Sequence, residues 1–185
     1  ETINRSALLR DFRALAAARY SVRAYRPDPV PEALLAELLE TVRLAPSACN
    51  RQPFRVVVLP TRGREDDLLR VYPKPWFVEA PLVLAVCAVP AEAWTRRRWD
   101  DWSAAETDAT IAMDHLLLAA ADRGLGTCWV AAFDPAAARE VLALPDGIVP
   151  VAFTPLGWPA EAPGPKERRP LTELVIRRDE PPNGA

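Results

Sequence analysis

Basic residues alternate with small or apolar ones just after the first apolar-periodic stretch of the chain. In residues 18–25 (ARYSVRAY), Arg19, Ser21 and Arg23 occupy alternate positions, so in an extended chain they project on one side. Guanidinium groups beside a hydroxyl suit a phosphate or another cluster of anionic oxygens. The segment predicts an anion site, and its alternative is a charged turn in solvent.

A second group of cations lies near the end of the chain. Residues 156–171 (LGWPAEAPGPKERRPL) gather Lys166, Arg168 and Arg169 within a frame of prolines. Because proline fixes the backbone φ angle, this frame is stiff. The segment predicts a second anion anchor, and its alternative is a basic loop without a ligand.

Small hydrogen-bonding side chains mark a third segment, residues 45–54 (APSACNRQPF). Ser47, Asn50 and Gln52 fall where a loop meets a predicted strand, and loops on rigid scaffolds often hold ligands. Ser and Asn also cap local backbone groups in turns, which is the alternative.

The fourth segment, residues 124–134 (GLGTCWVAAFD), contains two glycines and the pair Ala131 and Ala132. Small side chains let a flat ligand approach the backbone N–H groups closely. The alternative is a tightly packed core strand. The segment is not G-x-G-x-x-G, so it gives no support for a Rossmann dinucleotide site.

Composition excludes several classes of function. The chain has 185 residues with 23 Lys+Arg against 25 Asp+Glu, and this balance disfavours bulk binding of nucleic acid. No apolar run approaches the roughly 20 residues of a membrane span. With three scattered cysteines and a single histidine, a metal site or a Ser-His-Asp triad is hard to assemble. We expect one cytoplasmic domain over 1–185, without metal, membrane or nucleic-acid partner.

Hydrophobic periodicity and proline positions predict alternating helices and strands. Helices are predicted over 6–18, from Pro31 to just before Pro46, and over 64–71, 103–123 and 135–144. Strands are predicted over 54–59, 81–89, 127–132 and 148–155. The pattern indicates an α+β domain, a three-layer α/β/α arrangement with a mixed central sheet.

Two details of this prediction concern individual residues. The longest helix begins with a capping-box pattern, Ser103 followed by Glu106, and is expected to turn Ile111, Leu117, Leu118 and Ala121 inward. Residues 171–178 (LTELVIRR) are strand-like with no obvious place in a short chain. They predict an extended arm that reaches a second subunit, and the alternative is a frayed tail.

Taken together, the four segments resemble those of the FMN-dependent nitroreductase family. That family shows R-x-S-x-R/K after its first helix, A-P-S-x-x-N-x-Q-P-W/F after its second, then G-L-G-T-x-W-x-x-x-F-D, and finally L-G-Y/W-P followed by P-K-x-R. The same elements occur here in order at 19–23, 45–54, 124–134 and 156–168.

The resemblance implies an intertwined homodimer with FMN bound at the interface. It implies that Arg19, Lys166 and Arg168 neutralise the phosphate, that Ser21 adds a hydrogen bond, and that Arg23 lies near N1 and O2 of the ring. It places the backbone of Ala131 and Ala132 beside flavin N5. The remaining cofactor-binding positions that it implies are Tyr20 and Gln52, with Pro46, Ser47 and Asn50 supplied by the other subunit.

The implied reaction is ping-pong, in which NAD(P)H reduces FMN and leaves before an electron-poor acceptor takes two electrons. Nitroaromatics and quinones are the usual acceptors of the family, and no side chain is required as a catalytic acid or base. Alternative functions on the same fold are reductive dehalogenation, azoline oxidation and oxygen-dependent destruction of the flavin. A further alternative is a non-catalytic FMN-binding protein.

Residues 93–106 (AWTRRRWDDWSAAE) are the most individual part of the sequence. In this family, insertions near this point often form a lid over the flavin. Trp94, Trp99 and Trp102 are suited to stack on an aromatic acceptor, and the neighbouring arginines to attract an acidic one. A helix packing on its partner would show the same Trp99–Trp102 spacing. His115 is interpreted as a packed interface or core residue.

Overall fold

Helices and strands alternate along most of the chain, as the sequence predicts. The computed structural model describes residues 5–178, with side chains described from Phe12 onward. Its helices are α1 (Arg5–Ala18), α2 (Glu32–Arg43), α3 (Glu65–Val71), α4 (Ala105–Asp122), α5 (Pro135–Val141) and α6 (Leu171–Leu174). Its strands are β1 (Phe54–Pro60), β2 (Leu82–Ala88), β3 (Gly126–Thr127) and β4 (Val149–Gly157). None of the helices in this described part is long and apolar enough to cross a membrane.

The four strands form one sheet in the order β1-β2-β4-β3, with antiparallel neighbours throughout. Strand β2 lies between β1 and β4, and the register brings Ala85 opposite both Val57 and Phe153. Parallel pairing within residues 5–178 is confined to the bridge between Ser21 and Thr127. That bridge attaches the segment after α1 to the β3 side of the sheet.

Successive side chains of β2 alternate between two apolar cores, as the period of a strand requires. One core holds residues of α2 and α4 against Leu84, Val86 and Ala88. The other holds residues of α3 and α5 against Val83, Ala85 and Cys87. Helices therefore cover both faces of the sheet, which confirms the predicted three-layer α+β class.

The inner face of α4 differs from the prediction. The buried side chains include Ala109, Ala112, Met113, Leu116 and Ala120, together with the predicted Leu117. Residues 111, 118 and 121 are only half-buried. Because α4 is apolar around most of its circumference, periodicity alone does not select a face. The alanine-rich side lies inward, where small side chains allow close approach to the sheet.

The start of α4 also departs from the predicted capping box. Ala104 occupies the N-cap position and has no side chain that could cap the helix. Ser103 lies one residue earlier, and its Oγ accepts from the N–H of Ala105 at 3.3 Å. The Ser103 hydroxyl therefore bonds to the backbone N–H two residues later, and Glu106 does not complete a capping box with it.

One predicted strand, over 127–132, is wrong in extent. Strand β3 covers only Gly126–Thr127, and Val130 joins the sheet through a single bridge to Phe153. Residues 171–174, whose pattern is strand-like, form the short helix α6, and the predicted arm to a second subunit stays a prediction. A strand needs a paired neighbour, and within the described part of the chain no strand pairs with 171–178.

Candidate functional site

The two basic segments of the sequence meet in one hollow of about 320 Å³. Its walls come from the stretch after α1 and from the proline-rich loop near the end of the chain. The lining residues are Arg19, Tyr20, Ser21, Arg23, Gly164, Pro165, Lys166, Glu167 and Arg168. The Lys166 ammonium group also donates to the carbonyl of Ala17 in the last turn of α1. The two predicted anion anchors are therefore one site.

Backbone hydrogen bonds fix the first wall of the hollow to the sheet. The N–H of Val22 donates to the carbonyl of Thr127 in β3 at 2.9 Å. This close approach requires glycine at position 126, since a Cβ there would lie 2.8 Å from a methyl carbon of Val22. Pairing to β3 keeps residues 20–22 extended, so Arg19, Ser21 and Arg23 line the same hollow, as their alternation predicts.

The second wall is held against the first by further backbone bonds. The N–H of Arg26 donates to the carbonyl of Trp158, and the N–H of Ala160 donates to that of Ala24, each at 2.9 Å. The loop thus leaves β4 along the stretch that follows α1. This arrangement brings Lys166 and Arg168 to Arg19 although the two segments are far apart in sequence.

The hollow carries an excess of positive charge. The pKa of Lys166 lies below its ordinary value, first because of desolvation and then because of repulsion by Arg19 and Arg168. Like charges held this close disfavour one another until an anion neutralises them. With the Ser21 hydroxyl beside them, the donor set fits a dianionic phosphate.

Trp76 is a neighbour of the hollow that sequence reasoning missed. The Arg23 guanidinium carbon lies 5.8 Å from the centre of the Trp76 ring, in a cation–π arrangement. This contact holds the Arg23 side chain across the turn that precedes β2. No spacing in the sequence links the two residues, so only the packing of that turn shows the pair.

The loop at 46–52 forms a separate cluster. The Oγ of Ser47 accepts from the N–H of Gln52 at 2.9 Å, and the Gln52 amide donates to both the backbone and side-chain oxygens of Asn50. Cys49, Asn50 and Gln52 all have left-handed backbone, with φ of 52°, 53° and 51°. Such conformations are costly for residues other than glycine and concentrate at functional sites.

Not all predicted cofactor-binding residues come together within one chain. No hydrogen bond joins the 46–52 loop, which includes Pro46, to the cation hollow in the described part of the molecule. Ala131 and Ala132 are exposed and follow the bridge of Val130 to Phe153. Neither the 46–52 loop nor the alanine pair is among the residues that line the hollow within the described chain.

Residues 94–103 form a tight hairpin before α4. Thr95 and Ser103 pair antiparallel, and the Arg96 side chain forms two hydrogen bonds to Asp100, of 2.8 and 2.7 Å. Trp99 is 73% exposed and Trp102 42% exposed, while Trp94 is half-buried. Trp99 and Trp102 therefore lie on an exposed turn rather than on a helix.

His115 lies on the side of α4 away from the sheet. Its Nδ1 is 2.9 Å from the carbonyl oxygen of Ile111, one turn earlier. With Phe12, Leu15 and Leu118 it lines a groove of about 740 Å³ between α1, α2 and α4. His115 is half-buried on this groove rather than in the core, and its packing at an interface stays a prediction.

The fold and the hollow define an α+β protein with a cluster of cations beside one edge of its sheet. The sequence model of the Nitroreductase family matches residues 16–73 and 64–158. A Thermus thermophilus protein named NADH dehydrogenase is 32% identical over 202 residues, covering 91% of this chain and 96% of the relative. The 5,6-dimethylbenzimidazole synthase of Rhodospirillum rubrum is 32% identical over 181 residues, covering 84% of this chain and 82% of that enzyme.

Solved structures show the same likeness. A nitroreductase family protein from Clostridium difficile superposes with a TM-score of 0.80 at 33% identity, covering 88% of this chain and 95% of its own. A nitroreductase from Desulfovibrio desulfuricans, solved in complex with FMN, superposes with a TM-score of 0.77 at 26% identity. The match covers 92% of this chain and 98% of that protein. The chain belongs to the nitroreductase family.

Proposed function

We propose that the protein is an FMN-dependent oxidoreductase that uses NAD(P)H and an electron-poor acceptor, such as a nitroaromatic or a quinone, in a ping-pong reaction. The observation that carries this proposal is the hollow in which Arg19, Lys166 and Arg168 meet beside Ser21. Family membership and the relative solved with FMN support it. When bound, FMN supplies the two-electron transfer.

The residues of the hollow divide between the two ends of such a cofactor. Arg19, Lys166 and Arg168 would neutralise the phosphate, and the Ser21 hydroxyl would donate to it. Arg23, at the Trp76 end of the same wall, would place a positive charge at the ring. A fixed cation there stabilises negative charge that develops on reduction.

We further propose that two copies of the chain complete each site. Ser47, Asn50 and Gln52 lie apart from the hollow of their own chain, which suits a role in the hollow of a partner. Three large apolar residues near the end of the described chain are between 61% and 81% exposed, namely Leu171, Leu174 and Ile176. Exposed apolar residues in such a segment favour association with a second subunit.

Mixing two variants, each damaged in one part of the site and assayed at an FMN concentration that loads wild type but not the variants, tests this division of the site. Arg19→Ala damages the hollow, and Asn50→Ala damages the loop. If the loop serves the partner, a mixed dimer retains one intact site, and activity returns on mixing and subunit exchange. If both residues serve the same subunit, each chain of the mixed dimer is damaged at its own site and mixing restores nothing.

The absorption spectrum of freshly purified protein, recorded anaerobically before and after NADPH or NADH, tests the proposed cofactor and reductant. A flavin spectrum that bleaches at once supports both. A bound flavin that stays oxidised contradicts the reductant, and a colourless protein that cannot be loaded with FMN contradicts the cofactor. Acceptors are then compared by their rates of reoxidising the reduced protein.

A second candidate function is oxygen-dependent destruction of the flavin. The relative named 5,6-dimethylbenzimidazole synthase supports it, because dimethylbenzimidazole carries the same dimethyl-substituted benzene ring as the flavin. The reduced protein would be exposed to oxygen and its flavin quantified by chromatography. Full recovery of FMN favours the acceptor reductase, and stoichiometric loss with a benzimidazole product favours the alternative.

A further inference from the structure

Glu161 connects the two walls of the cation hollow. Its Oε1 accepts a hydrogen bond from the backbone N–H of Arg23 at 2.6 Å, and its own carbonyl accepts from the Tyr20 hydroxyl at 2.7 Å. Both donors belong to the stretch after α1, and Glu161 belongs to the loop that carries Lys166 and Arg168. One residue therefore joins the segments that supply the cations.

Its place in the loop makes this connection important. Regular backbone pairing between the two walls ends at Ala160, whose N–H donates to Ala24. From residue 161 to residue 169 the described chain forms no helix, strand or backbone–backbone hydrogen bond. The hydrogen bonds of Glu161 are thus the last that the described chain forms before the loop reaches Lys166, whose ammonium group donates to the carbonyl of Ala17.

The Glu161 carboxylate also acts electrostatically on the hollow. The pKa of Tyr20 is raised, first by burial and then by the negative charge of Glu161. The same charge opposes a phosphate that enters beside it. Glu161 therefore has two effects of opposite sign, since its hydrogen bonds hold the cations in place and its charge repels an anion.

We propose that Glu161 is a positioning residue that holds the basic loop against Arg23 and thereby sets the affinity of the hollow for a phosphate group. This inference rests on the proposed function, in which that phosphate belongs to FMN. Oε1 of Glu161 positions the loop because it accepts the hydrogen bond from Arg23. The amide of glutamine retains such an acceptor oxygen and should therefore hold the loop in place. Alanine has no acceptor oxygen and should not hold it.

The test compares Glu161→Ala and Glu161→Gln in the full chain, with FMN and riboflavin as ligands and flavin fluorescence as the measurement. Loss of a hydrogen bond to a charged group corresponds to about a tenfold loss of affinity at the low end. Glu161→Ala should therefore bind FMN about tenfold more weakly and riboflavin, which lacks the phosphate, within about twofold of wild type. Glu161→Gln should bind FMN as tightly as wild type or more tightly, because it keeps the acceptor without the charge.

Glu173→Ala, which removes an exposed carboxylate in α6, is the matched control and should change neither affinity. Glu161→Ala with wild-type FMN affinity overturns the inference, and so does tighter FMN binding by this variant, because repulsion would then be the only effect of Glu161. Equal losses of FMN and riboflavin affinity would indicate general damage and would also overturn it. Equal losses of FMN affinity in the Ala and Gln variants would overturn it as well. Failure of the wild-type protein to bind either flavin would instead contradict the proposed function.

Discussion

The backbone N–H of Ala48 donates to Oδ1 of Asp108 at 3.0 Å, which ties the 46–52 loop to the first turns of α4. Asp108 is only 2% exposed, and its Oδ2 has no hydrogen-bond partner within the described chain. Three residues of the tied loop have left-handed backbone. A conformation this costly persists only when its surroundings enforce it, and Asp108 is part of that enforcement.

Asp108→Ala should lower the free energy of unfolding by about 1–3 kcal/mol, since it leaves the Ala48 N–H without its acceptor. Urea denaturation followed by circular dichroism measures the change. Asp108→Asn keeps an oxygen acceptor and should lose clearly less stability. Equal losses in the two variants would show that the charge, rather than the acceptor, holds the loop.

Secondary structure was largely predictable because periodicity and proline are local signals. The run 81–89 predicts a strand buried on both faces, and β2 is such a strand. The inward face of α4 was not predictable, because apolar side chains surround that helix and only the sheet selects among them. Residues 171–174 form a helix despite their strand-like pattern, since such a pattern forms a strand only where a neighbour is available to pair.

The cationic part of the site was predictable because its residues alternate within one segment or cluster within another. Glu161 and Asp108 carried no such signal. Each makes its key contact across a long sequence separation, 138 positions from Arg23 and 60 from Ala48. A lone acidic residue in a loop or a helix is common, and only the fold shows what it touches.

Arg19→Ala or Arg168→Ala should weaken FMN binding by roughly tenfold to a hundredfold, because each removes a charged partner of the phosphate. Each variant should also release FMN at a lower salt concentration than wild type does, because fewer cations hold the phosphate. Ultrafiltration across a salt series, with flavin quantified in the filtrate, measures both effects. Arg62→Ala, an exposed arginine in a turn, is the control. Unchanged flavin content in both variants would remove these arginines from the phosphate site.

FMN affinity should decline on the alkaline side through Lys166. Desolvation, Arg19 and Arg168 hold the pKa of Lys166 below its ordinary value of 10.5, so its charge is lost at lower pH than for a free lysine. Since only the charged form attracts phosphate, affinity is greatest below this pKa and falls as pH rises through it. Lys166→Arg stays charged over this range and should remove most of the decline. Titration of FMN between about pH 7 and pH 10 tests this, and an unaltered profile in Lys166→Arg would assign the decline to another group.

The thiols should differ sharply in reactivity. Cys49 is exposed, whereas Cys87 and Cys128 are buried. Burial raises the pKa of Cys87 to about 11, and it also raises the pKa of Cys128, although Arg23 partly opposes that shift. Because the thiolate is the nucleophile, Ellman's reagent near pH 8 should label one thiol quickly in the folded protein and three after denaturation. Rapid labelling of the folded Cys49→Ser variant would show that a buried thiol is accessible.

The hairpin 94–103 should affect the acceptor step without affecting the reductive step. Trp99 is largely exposed, with the Arg98 guanidinium 5.2 Å from its ring centre, while Arg96 is already paired with Asp100. An exposed indole beside a cation suits an aromatic acid. Trp99→Ala should raise KM for 4-nitrobenzoate by about twofold to tenfold, equivalent to the loss of about 0.5–1.5 kcal/mol of aromatic contact.

Stopped-flow measurement of flavin reduction by NAD(P)H provides the internal comparison, and its rate should be the same in Trp99→Ala and wild type. Uncharged nitrobenzene separates stacking from charge, because Arg98→Ala should raise KM for the benzoate but not for nitrobenzene. Val149→Ala, a truncated exposed apolar residue at the start of β4, controls for surface change. If Trp99→Ala leaves KM unchanged for every acceptor, the hairpin does not contact the acceptor and the predicted lid is wrong.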